Sequence, residues 1–401
     1  MLDENFNILF GTLPSKVAGE FLSFFADDDI EFLDALGREL IRLDSKKEYP
    51  DLHSFAFWTR SARLRQTRLN YQDLGTRIGH GIVFHVTPGN VPTNFLYSLS
   101  FGLLSGNYNI VRLPSREYPQ ITIARLALEA MKNQGKYEKQ LRRIFLVRYE
   151  HNDKITEKLL AISDQSIFWG SNETVRHLQK LNKNYGNREI VFGEKYSSCV
   201  MNFKQIEILK ESDVAKYRLF LKKFINDSFL FNQNGCSSPR TIYWLSEGSA
   251  EQNTGLFWSD LYEYAKQEYF IDEGLAVKKF GELCRFISDF GTELSIDFYG
   301  NLIYVIRADQ LNDKDLVISL RFGTFVEHFV SDLSQVMKKL NRYTQTMTYF
   351  GVSKKELSTA LVNFSPLGLD RIVPVGNAFD LDFVWDGVDT LRALSKLLVI
   401  R

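Results

Sequence analysis

Between Arg77 and Arg112 the chain carries no Asp, Glu, Lys or Arg. A stretch like that either crosses a membrane or is enclosed by protein. Pro88, Pro92 and the Gly-Asn steps at 89–90 and 106–107 cut it into pieces well short of the roughly 20 apolar residues a spanning helix needs, so enclosure is the expectation. The pieces have different characters. Ile82 to Val86 reads as an apolar strand running into TPGNVP, Thr93 to Leu104 as an apolar helix ending at Ser105-Gly106-Asn107, and Asn109 to Leu113 as a second strand running into Pro114 and Ser115. A strand-loop-helix-strand unit of this kind belongs to a parallel sheet buried on both faces.

The alternation continues. Strands are expected near 81–87, 109–113, 143–149 and 166–169, with helices at 93–104, 119–133 and 173–182 between and after them. This predicts an α/β fold with a doubly wound parallel sheet. Ser197 to Met201 reads as the strand that closes this layer, and the composition changes at 202–210. A second α/β layer follows over 205–365, with helices near 213–229, 255–270 and 331–341 and strands near 240–245, 294–298, 302–307 and 346–350. Upstream, residues 14–70 read as helical: Phe21, Phe24, Phe25, Ile30, Leu33, Leu36 and Leu40 recur at three- and four-residue spacing, and Asp27 to Asp29 offer an N-cap. The expected division is 1–204, 205–365 and a C-terminal segment 366–401, in which Trp385 packs and Asp386-Gly387 turns.

The 401 residues contain 49 basic and 49 acidic side chains, so no broad field draws in nucleic acid or an anionic membrane. Arg60, Arg63, Arg65 and Arg68 form a local basic cluster, read as a solvated helix face. The three cysteines, Cys199, Cys236 and Cys284, are too few for a disulfide framework and lack metal-ligand spacing. They suit a reducing compartment. Asp3 and Glu4 stand where a secretory signal would be basic, and a cytoplasmic location is expected.

One cysteine stands apart. Cys236 lies in FNQNGCSSPR, where Gly235 removes a side chain before the sulfur, Ser237 and Ser238 keep its surroundings small, and Pro239 interrupts any helix. The segment suits an exposed nucleophile. Taken alone it suits better a buried thiol packing as a small hydrophobe, the commoner use of a single cysteine.

Five motifs in chain order carry a resemblance. Pro88-Gly89-Asn90-Val91-Pro92 resembles the PWNFP loop of aldehyde dehydrogenases, and Ser105 to Asn107 with Pro114-Ser115 match that family's AGN and PSE signals. Phe168 to Asn172, FWGSN, is similar to its FTGS turn, and Val191 to Lys195, VFGEK, to its ELGGK. NQNGCSSPR falls where the family places its nucleophile. Within that superfamily the chain resembles more closely the acyl-CoA reductases of bacterial bioluminescence (LuxC type), through NVP, FGEKYS, CSSP and GLDRIVPVGNAFDLDFVWDG at Gly368 to Gly387.

The resemblance implies an aldehyde dehydrogenase-like fold, with a cofactor domain and a second α/β catalytic domain. It implies reduction of a fatty acyl-CoA or acyl-protein thioester to the aldehyde through an acyl group on Cys236. Asn90 and the backbone N–H of Cys236 would be the oxyanion donors, although Asn90 alone reads as a turn residue. For the cofactor, NADPH with NADH left open, it points to Thr87, Pro88 and Gly89 in the first loop, Pro114 and Ser115 at the adenosine edge, and Gly170 and Ser171 near the pyrophosphate. The lysine of the wider family's KPS motif falls on Leu113; Arg112, one place earlier, is a further cofactor-binding candidate, although adjacent strand residues point to opposite faces. Hydrolytic relatives carry a glutamate at the first position of VFGEK, where this chain has Val191, with Glu189 and Glu194 near by. A homo-oligomer and an acyl-protein synthetase partner are further implications. Two other readings stay open: a Cys-His acyltransferase or thioesterase pairing Cys236 with His85, His151, His177 or His328, and a non-catalytic scaffold of reductase fold.

Overall fold

A computed structural model describes residues 6–14, 23–74, 76–246, 254–290, 294–307 and 320–399. The chain divides into two compact units, Met1–Gly193 with Leu381–Arg401, and Glu194–Asp380.

The first unit is built on β1 (Asn7–Phe10), β3 (Ile82–Val86), β4 (Tyr108–Arg112), β5 (Ile144–Arg148), β6 (Gln165–Trp169) and β7 (Arg188–Phe192), in the order β1-β5-β4-β3-β6-β7; β2 (Thr76–Gly79) lies outside this sheet. All neighbours are parallel except β1 with β5. The chain therefore moves from β3 through β4 to β5 on one side, then returns to add β6 and β7 on the other. Ile82, Phe84, Val86, Ile110, Phe145 and Val147 pack against Ile155, Leu159, Val175 and Leu178 of helices Asp153–Ala161 and Asn172–Lys180. Every residue of helix Asn94–Leu104 is buried, which is why this stretch tolerates no charge.

Helix Asp27–Leu43 buries Ile30, Leu33, Leu36 and Leu40 as their spacing predicts. Its N-cap is Ala26, without a side-chain cap, so Asp27 to Asp29 occupy the first turn and act on the helix dipole instead. Phe25 precedes the helix at φ 52°, and Phe21 lies outside the described residues. The basic cluster is largely met by the chain itself: Arg65 pairs with Asp27 and Glu31, and Arg68 with Asp27. Near the C-terminus, Phe383 packs on Phe25, Trp58 and Phe101, and Ser395–Leu398 pairs with β2. Asp386 and Gly387 turn at φ 49° and 75° between Val384–Trp385 and Val388–Asp389, with Trp385 buried.

The second unit contains β8 (Tyr196–Asn202), β9 (Pro239–Leu245), β10 (Ser295–Tyr299), β11 (Ile303–Arg307), β12 (Thr324–Val330), β13 (Thr344–Phe350) and β14 (Arg371–Pro374), in the order β10-β11-β12-β9-β8-β13-β14. Only β10 runs antiparallel to its neighbour. The strand read from sequence as closing the first layer, β8, lies in this sheet. It pairs with β9 and β13, and its faces supply two cores of this unit, Cys199 and Met201 to one, Val200 to the other. Sequence reading also passes over β12, whose run is broken by Glu327. That carboxylate is buried, accepting from Trp244 Nε1 at 2.8 Å and Trp258 Nε1 at 2.9 Å and pairing with Arg307.

Candidate active site

Cys236 sits in the loop between helix Val214–Phe229 and β9, half-buried among buried neighbours Gly235, Ser237 and Ser238. Two residues ahead of it set the loop's course. Asn232 and Gln233 adopt φ of 53° and 59°, a left-handed pair that needs external support in non-glycine residues. Gln233 supplies it: its buried amide donates to the carbonyls of Pro239 (2.9 Å) and Thr324 (3.1 Å) and accepts from the backbone N–H groups of Gly323 (2.9 Å) and Thr324 (3.2 Å). Ser238 N–H closes the turn onto Gly235 O at 3.1 Å.

The cysteine itself is gripped from β8 and β13. Ser197 Oγ donates to Cys236 O at 2.6 Å, and Gln345 Nε2 donates to Cys236 Sγ at 3.1 Å. Arg240, buried on β9, feels the sulfur's charge. Burial pulls its guanidinium down to about 10, Arg321 pulls the same way, and Cys236, Glu282 and Glu194 oppose them. It stays cationic at neutral pH and favours a thiolate at Cys236. Cys199, by contrast, is fully buried, which pushes its thiol up and makes it inert; Cys284 is exposed.

Three of the four histidines of the Cys-His alternative have other contacts. His85 lies in the first unit's core between Ser98 Oγ (2.8 Å) and Asn109 Oδ1 (3.0 Å); His177 pairs with Asp153; His328 stacks on Tyr243; His151 is exposed.

In the first unit the anticipated cofactor residues collect at the carboxyl ends of β3, β4 and β6. These are the strands around which the sheet order reverses, where open α/β sheets receive nucleotides. Thr87 Oγ1 donates to Arg112 O at 2.8 Å, tying the loop after β3 to β4. A Cβ on Gly89 would touch Pro114 at 3.8 Å, beside Ser115. Tyr118 OH donates to Gly89 O. Asn90 is exposed in the same loop. The Arg112 guanidinium lies over the Tyr149 ring, 4.6 Å from its centroid, and donates to Tyr149 O. After β6, Gly170 leads into Ser171, which caps helix Asn172–Lys180 by accepting from Thr174 N–H at 3.1 Å. Asn90 and the cofactor residues lie in one unit and Cys236 in the other. Val191 is on β7, packed against the first unit's core. Glu189 pairs with Lys183 and accepts from Gln179, while Glu194 contributes to the field at Arg240.

The acyl-CoA reductase (LuxC) family profile matches residues 55–254, which include both the loop after β3 and the Cys236 loop. The chain belongs to that family. As a LuxC-family member it is an oxidoreductase acting on acyl or aldehyde groups. Its fold is that of the aldehyde dehydrogenases. The structure of aldehyde dehydrogenase 21 from Physcomitrella patens matches with a TM-score of 0.66 at 13% identity, over 94% of this chain and 86% of that one. Lactaldehyde dehydrogenase matches at 0.67 and 11% identity, over 94% and 87%, and betaine aldehyde dehydrogenase from Staphylococcus aureus at 0.63 and 16%, over 94% and 83%. No curated protein sequence matches. Among the described residues no helix is long and apolar enough to cross a membrane, and no group of three His, Cys, Asp or Glu is placed to hold a metal ion.

Sequence reasoning missed Gln345, Ser197, Gln233 and Arg240 as supports of the cysteine. Three of them lie inside quoted motifs, where their polarity passed as loop chemistry. Gln345 has a single local signal, an amide in the buried run TQTMT.

Proposed function

We propose that this LuxC-family reductase converts a fatty acyl thioester to the fatty aldehyde with NADPH, through an acyl group carried on Cys236. The observation that carries the reading is the set around Cys236: a half-buried thiol with a hydrogen-bond donor on its sulfur and a buried guanidinium in its field. Cys236 attacks the acyl carbon as thiolate, a C–S bond forms and the donor thiolate leaves. A bound reduced nicotinamide supplies two electrons and a hydrogen as hydride. The resulting oxyanion collapses, the C–S bond breaks, aldehyde departs and Cys236 returns to thiolate. The Asn90 amide and the backbone N–H of Cys236 are proposed to stabilise the oxyanion at both stages.

The first unit suits a dinucleotide. The turn after β6, which contains Gly170, opens onto a helix N-terminus, whose N–H groups and dipole favour a pyrophosphate. Thr87, Pro88 and Gly89, with Pro114 and Ser115, would hold the rest, Arg112 standing at that strand end on Tyr149. The choice of NADPH, an acyl-protein donor, an acyl-protein synthetase partner and a homo-oligomer rest on family likeness. We place the reaction in the cytoplasm, where such a thiol stays reduced.

Labelling tests the reading. Radiolabelled long-chain acyl-CoA without reductant should mark one peptide, that of Cys236, and leave Cys199 and Cys284 unmarked. NADPH should then discharge the label as aldehyde, with NADH as the comparison. Equal labelling of Cys236→Ala would remove the nucleophile.

A further inference from the structure

We propose that Gln345 is the positioning residue for the Cys236 thiolate, its side-chain amide holding the sulfur both when it attacks and when it leaves. This deepens the reading above and rests on Cys236 being the nucleophile.

The geometry is specific. Gln345 is 2% exposed and donates to Cys236 Sγ at 3.1 Å. Its other end is occupied, because Ser237 Oγ donates to Gln345 Oε1 at 2.9 Å, so the N–H face of the amide is turned to the sulfur. The sheet is irregular here. Pairing of β13 with β8 shifts register between Thr344 and Met347, and pairing of β8 with β9 shifts between Ser197 and Ser198. Such irregularities re-aim side chains beside active sites, and these two aim at one residue. Thr346 N–H donates to Ser197 Oγ at 3.1 Å, and Ser197 in turn donates to the Cys236 carbonyl. Two successive residues of β13 thus hold Cys236, Gln345 at the sulfur directly and Thr346 at the carbonyl through Ser197.

A neutral thiol sulfur is a weak acceptor, whereas a thiolate accepts an amide N–H strongly, so this contact discriminates for the charged form. The charges acting at Arg240 on β9 are Arg321, Glu282, Glu194 and Cys236 itself. Arg240 acts through its field, and Gln345 adds a fixed direction. A donor on S⁻ raises the thiolate fraction more than it lowers intrinsic nucleophilicity, since reactivity follows proton affinity with a slope of roughly 0.4–0.5. It also eases departure of the sulfur from the oxyanion that precedes the aldehyde.

The test is alkylation of Cys236 by iodoacetamide in the full chain, resolved by peptide and followed across the thiol titration. For Gln345→Met the profile should cross that of the native protein, about three- to fivefold slower on the acid side, where less thiolate forms, and about two- to threefold faster on the alkaline side, where the freed thiolate is the better nucleophile. Ser237→Ala, which releases the amide to turn, should cross in the same sense by less, and it carries the test if Gln345→Met fails to fold. Profiles that superimpose, or differ by one factor at every pH, overturn the proposal. A crossing in the opposite sense also overturns it, because the amide oxygen would then face an S–H. The assay contains neither acyl-CoA nor nicotinamide, so failure of the native chain to oxidise NADPH would remove the proposed reaction without touching this result.

Discussion

Gly235 lies directly beneath the ring of Phe379: a Cβ added to it would meet the ring's edge at 2.6 Å. Phe379 is half-buried and held by its neighbours. It packs on Phe231, and its loop is anchored by Asp227, which accepts from Gly376 N–H at 2.6 Å and Ala378 N–H at 3.0 Å. Gly235→Ala should therefore displace the cysteine loop, costing about 1–3 kcal/mol of stability and slowing acylation of the adjacent Cys236. Removing the obstructing ring in Gly235→Ala with Phe379→Ala should restore the acylation rate. Thermal unfolding and single-turnover acylation on the three variants check this; a native rate in the single variant would show that the contact does not set the loop.

The buried His85 gives the fold a defined acid limb. Trp169 Nε1 donates to Ser98 Oγ at 3.1 Å, so the Ser98 hydroxyl is free to donate to His85 Nδ1, and His85 Nε2–H donates to Asn109 Oδ1. Complete burial lowers the imidazole from 6.5 to about 4, with the Asn109 contact opposing. The folded state therefore resists a proton that the unfolded chain accepts. Stability from this group is full above pH 6.5 and is lost as pH falls towards about 4. His85→Leu should cost about 2–4 kcal/mol at neutral pH by orphaning its partners, yet lose less on going from neutral to acid. Denaturant melts followed by tryptophan fluorescence at two pH values measure both; an unchanged acid limb would remove His85 as its source.

Val191, packed into the first unit's core, cannot act as a base, and Glu189 is tied to Lys183 and Gln179. Fatty acid should therefore appear far more slowly than aldehyde during turnover, and the acyl-enzyme should persist in water without reductant. Mass-spectrometric product ratios decide this. Rapid acid release that disappears in Glu189→Gln or Glu194→Gln would name a base.

Asn90→Ala should lower both acylation and hydride transfer by about a hundred- to a thousandfold if its amide serves the oxyanion, with NADPH affinity and melting temperature little changed. A turn residue would give the reverse pattern, weaker nucleotide binding and lower stability with near-native chemical rates. Single-turnover rates, a dissociation constant and a melting curve on one variant separate the two.

Local and ordered features were legible without coordinates. The charge-free stretch had to be enclosed, because an ion in helix Asn94–Leu104 would have no water and no partner. Helix Pro119–Asn133 has the bounds its periodicity predicts. The Trp385-Asp386-Gly387 turn also follows from residue type and neighbours. Strand membership did not. A short strand such as Tyr196–Asn202 suits any buried parallel sheet, and only pairing with β9 and β13 assigns it to the second. The support of Cys236 was hidden for a deeper reason. Gln345 lies 109 residues from it in the chain, on a strand whose register slips beside it, and no local pattern encodes which side chain such a slip will aim. The small, polar setting of Cys236 could be read from its neighbours in sequence, whereas the amide that holds its sulfur was chosen by the closing of the sheet.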